Sequence, residues 1–274
     1  MLVRIGSRGS RLALTQAEQA AAALRRPGIE IAFVPITTAG DRDRTRPFGQ
    51  IGERGVFVKE IEEALLAGRI DVAVHSAKDM TSTDAEGLAV GAYLERDDPR
   101  DALVGASSIA PGMRIGTASA RRRAQLLSLE PTLSIEPMRG NVDTRLRKQR
   151  ERGLDAIVLA ACGLDRLGLA DEIGARLDVG AMLPEAAQGA LALQVRAAEA
   201  ELVGALDHAE TRRRVEAERV CVATLGAGCL APVAAHHDGS VLRALIAGEN
   251  GEWVERREGD DPAALGRELA ALAR

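Results

Sequence analysis

The sequence predicts an α/β protein with mainly parallel sheets. Three observations lead there. Short apolar runs of strand length alternate with segments of helical period, glycine or proline marks many of the junctions, and a hydrophobic content of 46% is enough for a sizeable core. Strands connected by helices pair in parallel and lie buried between helical layers.

The elements follow in order. Met1 to Ser7 reads as a strand and turn. Leu12, Ala13, Ala17, Ala20 and Leu24 recur at helical spacing, behind Ser10 as a cap and ahead of the breaker Pro27-Gly28. Ile29 to Ile36 reads as a strand. Thr38 to Gly55 shows neither period and is dense in charge and glycine, which predicts a mobile loop. Phe57, Ile61, Ala64 and Leu65 mark a helix closed by Gly68, and Ile70 to His75 is a short apolar strand. The alternation continues through strands near Met113 to Gly116, Ser134 to Met138 and Ala156 to Ala160, with helices starting at Arg121 and Val142. A final unit holds strands at Val241 to Ala247 and Trp253 to Arg257, joined by Glu249-Asn250-Gly251, and a helix from Pro262 to Leu272. No internal repeat of fixed period is visible.

Composition narrows the functional classes. The longest apolar runs, such as Ala156 to Cys162, are far shorter than the ~18 residues needed to cross a bilayer. The N-terminal segment lacks a basic stretch leading into an apolar signal core, so export is not expected. Three cysteines, Cys162, Cys221 and Cys229, form an odd and widely spaced set that suits a reducing compartment, and a cytoplasmic protein is expected. The net charge of -4 hides arginine islands at Arg42 to Arg54, Arg121 to Arg123 and Arg139 to Arg152. Basic islands in an acidic chain with 2% aromatic residues point to a local anion site, not to a nucleic-acid surface.

Ligand sites in open α/β sheets lie beyond the carboxyl ends of strands. There the sequence places His75-Ser76-Ala77-Lys78-Asp79, whose lysine and carboxylate read either as a site for charge chemistry or as a salt-bridged turn. Gly116-Thr117-Ala118-Ser119-Ala120-Arg121-Arg122-Arg123 puts three arginines in a first helical turn, where the macrodipole disfavours cations. Something anionic should compensate them, unless they form a solvated basic face. Arg139-Gly140-Asn141-Val142-Asp143-Thr144-Arg145 repeats the pattern, with Asn141 as cap. Cys162 and Cys221 fit apolar faces, whereas Cys229 stands in Leu225-Gly226-Ala227-Gly228-Cys229-Leu230-Ala231-Pro232, a loop able to present its thiol. A zinc site of Cys229 with His236 and His237 fits no closed structural set.

Six ordered segments resemble the porphobilinogen deaminase (hydroxymethylbilane synthase) family over nearly the whole chain. They are Ser7-Arg8 through Leu14, Gly55 to Glu60, His75 to Asp79, Gly116 to Ser119 with its arginines, Arg139 to Leu146, and Leu225 to Cys229. The resemblance implies three lobes: residues 1–95 with 188–207, residues 96–187, and a small α/β lobe at 208–274. The first two resemble the halves of a periplasmic-type binding protein, with the chain crossing between them twice. It further implies a monomeric enzyme that joins four porphobilinogen units head to tail and releases ammonia and a linear tetrapyrrole. The primer is a dipyrromethane cofactor on a thioether to Cys229. By the same resemblance Asp79 is the catalytic carboxylate and also touches the primer, and Lys78, Ser119, Arg121 and Arg122 bind the primer. Arg8, Ser10, Arg139, Arg145 and Arg166 hold substrate or growing chain, Phe57 and Gln188 lie near the site, and Thr38 to Gly55 is a flexible loop. Departures are Met80-Thr81 where proline follows the Lys-Asp pair, Ala120 before the arginines, Arg11 for proline, Ala227 for glycine and a shortened third lobe. Two rival classes share some features: an exported solute-binding protein and an intracellular effector-sensing domain. The first has no use for a loop cysteine, and the second lacks a DNA-reading helix pair here.

Overall fold

The computed structural model describes residues 1–42, 58–81, 85–226 and 232–273, grouped into two compact units, Met1–Asp97 with Ala190–Arg213 and Asp98–Gly189 with Arg214–Arg274. In the first unit one sheet is built from β1 (Leu2–Arg8), β2 (Glu30–Ile36), β3 (Val72–Ser76), β4 (Leu88–Tyr93) and β10 (Leu191–Arg196), in the order β2-β1-β3-β10-β4. β1 pairs in parallel with β2 and β3, while β10 is antiparallel to both β3 and β4. Only β10 therefore runs against the other strands, and the expectation of a mainly parallel sheet holds.

Two helices cover this sheet because its strands are apolar on both faces. Helix α1 (Arg11–Leu24) lays Ala17, Ala20, Ala21 and Leu24 against Val3, Ile5, Val72 and Val74. After the short α2 (Ala39–Arg42), helix α3 (Lys59–Leu66) packs Ile61, Ala64 and Leu65 against Ile36, Ile70 and Ala73. Val72 and Val74 join one core and Ala73 the other, as the two-residue period of a strand requires. The punctuation works as the sequence predicts. The Ser10 hydroxyl accepts the Ala13 N–H at 3.2 Å to start α1. Gly68, at φ +64°, ends α3 while the Arg69 N–H reaches back to the Ala64 carbonyl at 2.9 Å. The expected loop at Thr38 to Gly55 is described only as far as residue 42. That part is a helical turn, because Asp41 accepts the Thr38 N–H and hydroxyl at 3.3 and 2.8 Å. A four-residue turn, Glu201–Gly204 (α7), follows β10.

In the second unit β5 (Asp101–Val104), β6 (Arg114–Gly116), β7 (Ser134–Glu136), β8 (Ala156–Ala160) and β9 (Ile173–Arg176) form a sheet in the order β7-β6-β8-β5-β9. Here β5 is the reversed strand, antiparallel to β8 and β9, and β6 pairs in parallel with β7 and β8. Helix α4 (Ala120–Leu129) packs Leu126 with Ile115, Ala156 and Val158. Helices α5 (Val142–Glu151) and α6 (Ala161–Arg166) bury Leu146 and Leu164 with Ile157 and Leu159. The two five-stranded sheets share one strand scheme although the sequence shows no repeat of fixed period.

The rest of this unit is a three-stranded antiparallel sheet, β11 (Val233–His237), β12 (Leu242–Ala247) and β13 (Val254–Gly259), with helix α9 (Pro262–Leu272) and, from Arg214 onward, helix α8 (Ala209–Leu225). Cys221 and Leu225 of α8 and Leu265 and Leu269 of α9 meet Val233, Ala235, Leu242 and Ala244 in one core.

Candidate active site

In the first unit the carboxyl ends of β1 and β3 deliver the residues of interest. β3 runs into a 3-10 turn, Ala77–Asp79, on which Lys78 and Asp79 are both half-buried. Arg8 and Ser10 follow β1. Arg8, Ser10 and Asp79 line one cavity together with Gln16, His75 and Ser76. Arg8 is anchored from behind, its Nη2 meeting Asp41 Oδ1 at 2.5 Å and its Nε lying 3.2 Å from both carboxylate oxygens. Burial raises the Asp41 pKa, yet the hydrogen bond and charge of Arg8, with help from Thr38, outweigh it and hold the carboxyl below its ordinary range.

Under Asp79 lies a polar layer that the sequence does not announce. Gln16 donates to the Ser76 hydroxyl at 3.0 Å. His75, 5% exposed, meets Gln194 Oε1 through Nε2 at 3.1 Å, and Gln194 Nε2 donates to Glu62 at 2.9 Å. Burial lowers the His75 pKa from its ordinary 6.5 to about 4, with the Gln194 hydrogen bond opposing the shift, so the imidazole is neutral at pH 7. Between pH 6.5 and about 4 the unfolded chain takes up a proton that the folded protein refuses, so stability falls as the pH drops through this window. The loss attributable to His75 is at most about 3 kcal/mol. Urea unfolding from pH 7 to 4 checks this, since the part of the slope due to His75 should vanish in His75→Asn.

In the second unit the arginine-rich turn folds inward. Ser119 caps α4, its hydroxyl accepting the Arg122 N–H at 3.4 Å. Arg121 and Arg122 are 4% and 5% exposed, and both close on Asp101, the first residue of β5, which is fully buried. Arg122 donates from Nη2 and Nε to Asp101 Oδ1 at 2.7 and 3.2 Å and from Nη1 to the Val158 carbonyl at 3.0 Å. Arg121 Nη1 lies 2.8 Å from Asp101 Oδ2 and donates to the Leu183 carbonyl at 2.7 Å. Burial pushes the Asp101 carboxyl up, but the charges of Arg121 and Arg122, with hydrogen bonds from Arg122 and Gln188, keep it well below the usual carboxylate range. The anion demanded by three arginines at a helix start is thus partly internal, and the solvated-face alternative fails for Arg121 and Arg122. Arg123 alone is exposed, holding Asn250 Oδ1 at 2.8 and 3.1 Å.

Gln188 completes this cluster, donating to the Pro99 carbonyl at 2.7 Å and to Asp101 at 2.9 Å. The preceding Ala187 has φ 63°, a left-handed conformation that costs a non-glycine residue about 1 to 2 kcal/mol. Its N–H is held by the buried Glu218 of α8 at 2.6 Å. Arg166 donates to the Gly189 carbonyl at 2.7 Å. At the start of α5 Asn141 caps as expected, accepting the Thr144 N–H at 3.0 Å, and Arg145 Nε donates to the Gly140 carbonyl at 2.7 Å. The Arg139 carbonyl accepts from Lys148 Nζ at 3.0 Å. Each unit thus gathers its own share of the expected residues: Arg8, Ser10, Lys78 and Asp79 in the first, and Ser119, Arg121, Arg122, Arg139, Arg145, Arg166 and Gln188 in the second. Cys162 and Cys221 are buried, and burial, then the Glu218 charge, pushes the Cys221 thiol up to about 12. Cys229 and Phe57 lie outside the described residues. Among the described residues no group of His, Cys, Asp and Glu could hold a metal ion.

Comparison with known proteins decides the family. Residues 3–204 match the model described as "Porphobilinogen deaminase, dipyromethane cofactor binding domain". The chain belongs to the porphobilinogen deaminase family. Porphobilinogen deaminase of Pelobacter propionicus is 44% identical over 98% of this chain and 92% of its own length. That of Roseiflexus sp. is 44% identical over 97% and 93%, and that of Syntrophotalea carbinolica 48% identical over 85% and 78%. Among solved structures, the second substrate binding domain of a putative amino acid ABC transporter from Streptococcus pneumoniae is similar at a TM-score of 0.45 and 14% identity, over 75% of this chain and 91% of that one.

Asp101, Gln194 and Glu218 contribute buried polar contacts in or beside the two residue sets, and no sequence motif marks them. Their one sequence signal is indirect: Asp101 is the anion that the arginine-rich helix start requires.

Proposed function

We propose that this chain is a deaminating transferase of tetrapyrrole biosynthesis, which polymerises four porphobilinogen units on a covalently held dipyrromethane and releases ammonia and hydroxymethylbilane. The observation that carries this reading is Arg121. Its guanidinium is buried, yet Nε and Nη2 have no hydrogen-bond partner among the described residues, beside an Asp101 already engaged by Arg122. Buried unmet donors cost about 1 to 3 kcal/mol each, and a carboxylate-bearing ligand answers them with charge-assisted bonds. Dipyrromethane carries such carboxylates, so the residues present fit it.

In this assignment Cys229 carries the primer, and Lys78, Asp79, Ser119, Arg121 and Arg122 hold it. When bound, the dipyrromethane supplies the free pyrrole position from which the chain grows. Arg8, Ser10, Arg139, Arg145 and Arg166 receive the acetate and propionate arms of substrate and growing chain, with Phe57 and Gln188 beside them. Asp79, on the 3-10 turn that follows β3, stabilises the positive charge that develops when porphobilinogen loses ammonia. The division into three lobes, at 1–95 with 188–207, 96–187 and 208–274, is part of the same reading and agrees with a fold of three separate sheets. A cytoplasmic, monomeric enzyme without nucleic-acid or membrane partners completes it. No described helix is long and apolar enough to cross a membrane.

Mass spectrometry of the intact protein tests the reading. The loaded chain should exceed its sequence mass by one dipyrromethane, and peptide mapping should place the addition on the fragment containing Cys229. Cys229→Ala should lose both adduct and activity, while Cys162→Ala and Cys221→Ala should lose only some stability through small cavities. An adduct on Cys162 or Cys221, or normal tetrapyrrole synthesis by Cys229→Ala, would overturn the assignment.

A further inference from the structure

The polar layer beneath Asp79 has a fixed proton arrangement. Gln194 Nε2 donates to Glu62 Oε1 at 2.9 Å, so the side-chain amide turns its NH2 toward Glu62. Its oxygen then faces His75, and an oxygen can only accept. The 3.1 Å contact therefore places the imidazole hydrogen on Nε2. A neutral imidazole with its hydrogen on Nε2 has Nδ1 as a lone-pair acceptor. Nε2 is committed to Gln194, so Nδ1 is the ring nitrogen available to the cavity whose wall His75 forms with Arg8, Ser10 and Asp79.

The three residues come from three elements of the first unit: Glu62 from α3, Gln194 from β10 and His75 from β3. Gln194 is itself fully buried and His75 nearly so. Holding such groups in the interior is unfavourable unless they are paired, and the chain Glu62–Gln194–His75 pairs each of them while leaving Nδ1 as the ring nitrogen that this chain does not use.

We propose that His75 is a substrate-contacting residue whose Nδ1 accepts a hydrogen bond from an N–H group of the substrate bound at Asp79, its tautomer set by Gln194 and Glu62. The ligand chemistry is a neutral or cationic nitrogen donor, which an uncharged acceptor takes without adding a second anion beside Asp79. This inference rests on Asp79 marking the site.

Two substitutions separate the roles of the two ring nitrogens. Asparagine can set its amide oxygen near the Nδ1 position, keeping an acceptor toward the cavity while losing the contact to Gln194. Glutamine reaches the Nε2 position, keeping the contact to Gln194 while losing the cavity acceptor. Steady-state kinetics of primer-loaded His75→Asn, His75→Gln and Asp79→Asn should be measured alongside thermal unfolding. We expect His75→Gln to lose about tenfold or more in kcat/KM, the scale of one hydrogen bond to the reacting ligand. His75→Asn should retain the larger share of activity even where it is the less stable of the two. The reverse order of activity, or equal activity of the two, overturns the role of Nδ1. Full turnover by Asp79→Asn overturns instead the placement of the site, and the two failures are thereby distinct. If either histidine variant fails to fold, Gln194→Leu gives the second reading, because releasing the tautomer should lower kcat/KM while leaving primer loading intact; unchanged kcat/KM in that variant overturns the proposal.

Discussion

Asp101→Asn should lower the stability of the second unit by about 3 to 5 kcal/mol, the range for removing one partner of a buried ion pair. The shape of the side chain is kept, but Arg121 and Arg122 remain buried with their shared negative charge removed. Arg122 would keep its bond to the Val158 carbonyl and Arg121 its bond to the Leu183 carbonyl, neither of which carries charge. Calorimetry should show a fall in unfolding temperature of roughly 10 °C or more. Because the folded-state pKa of Asp101 is depressed, the stability it provides is present above the ordinary carboxylate pKa and lost only as the pH falls through the depressed value. The wild-type protein should hold this pair well into acid, and an unchanged unfolding temperature in Asp101→Asn would refute its role as counter-ion.

Asp79→Asn should fold normally and lose turnover by about 10²-fold or more, the scale on which a preorganised electrostatic partner of a developing charge acts. Asp79 is half-buried on the turn that ends β3, and its backbone is set by the turn itself, so an isosteric amide leaves the frame unchanged. A stopped assay of tetrapyrrole release, with primer loading confirmed by mass, checks it. Turnover within about threefold of wild type would remove Asp79 from the chemistry.

Much of this fold is legible because its signals are local. Ser10 and Asn141 cap the helices they precede, Gly68 stops α3 in a left-handed turn, and the helix at Pro262–Leu272 has the bounds that its apolar period gives. Reversed strands are different. Leu191–Arg196 is a short run, apolar but for Gln194 and Arg196, whose partners, β3 and β4, lie about a hundred residues earlier, and nothing within the run records its direction. The candidate site divides the same way. Arg121 and Arg122 stand out because a helix start repels them. Asp101 does not, because Asp97-Asp98-Pro99-Arg100-Asp101 reads as a charged surface turn, and only the three-dimensional pairing separates Asp98, bound to Arg100, from the fully buried Asp101. The Glu62–Gln194–His75 chain is illegible for a related reason: its members come from three elements whose contact exists only once the sheet has formed.

The placement of β10 bears on how the chain is made. The first unit needs Leu191–Arg196 between β3 and β4, yet about a hundred residues belonging to the second unit separate this strand from β4 in the chain. At ribosomal speeds of about 5 to 20 residues per second, the nascent first unit waits roughly 5 to 20 s with an unfilled slot in its sheet. During that interval β3 and β4 present unpaired edges, the kind of surface that recruits chaperones or foreign strands. The order of synthesis therefore makes the first unit to emerge dependent on a strand that arrives after most of the second.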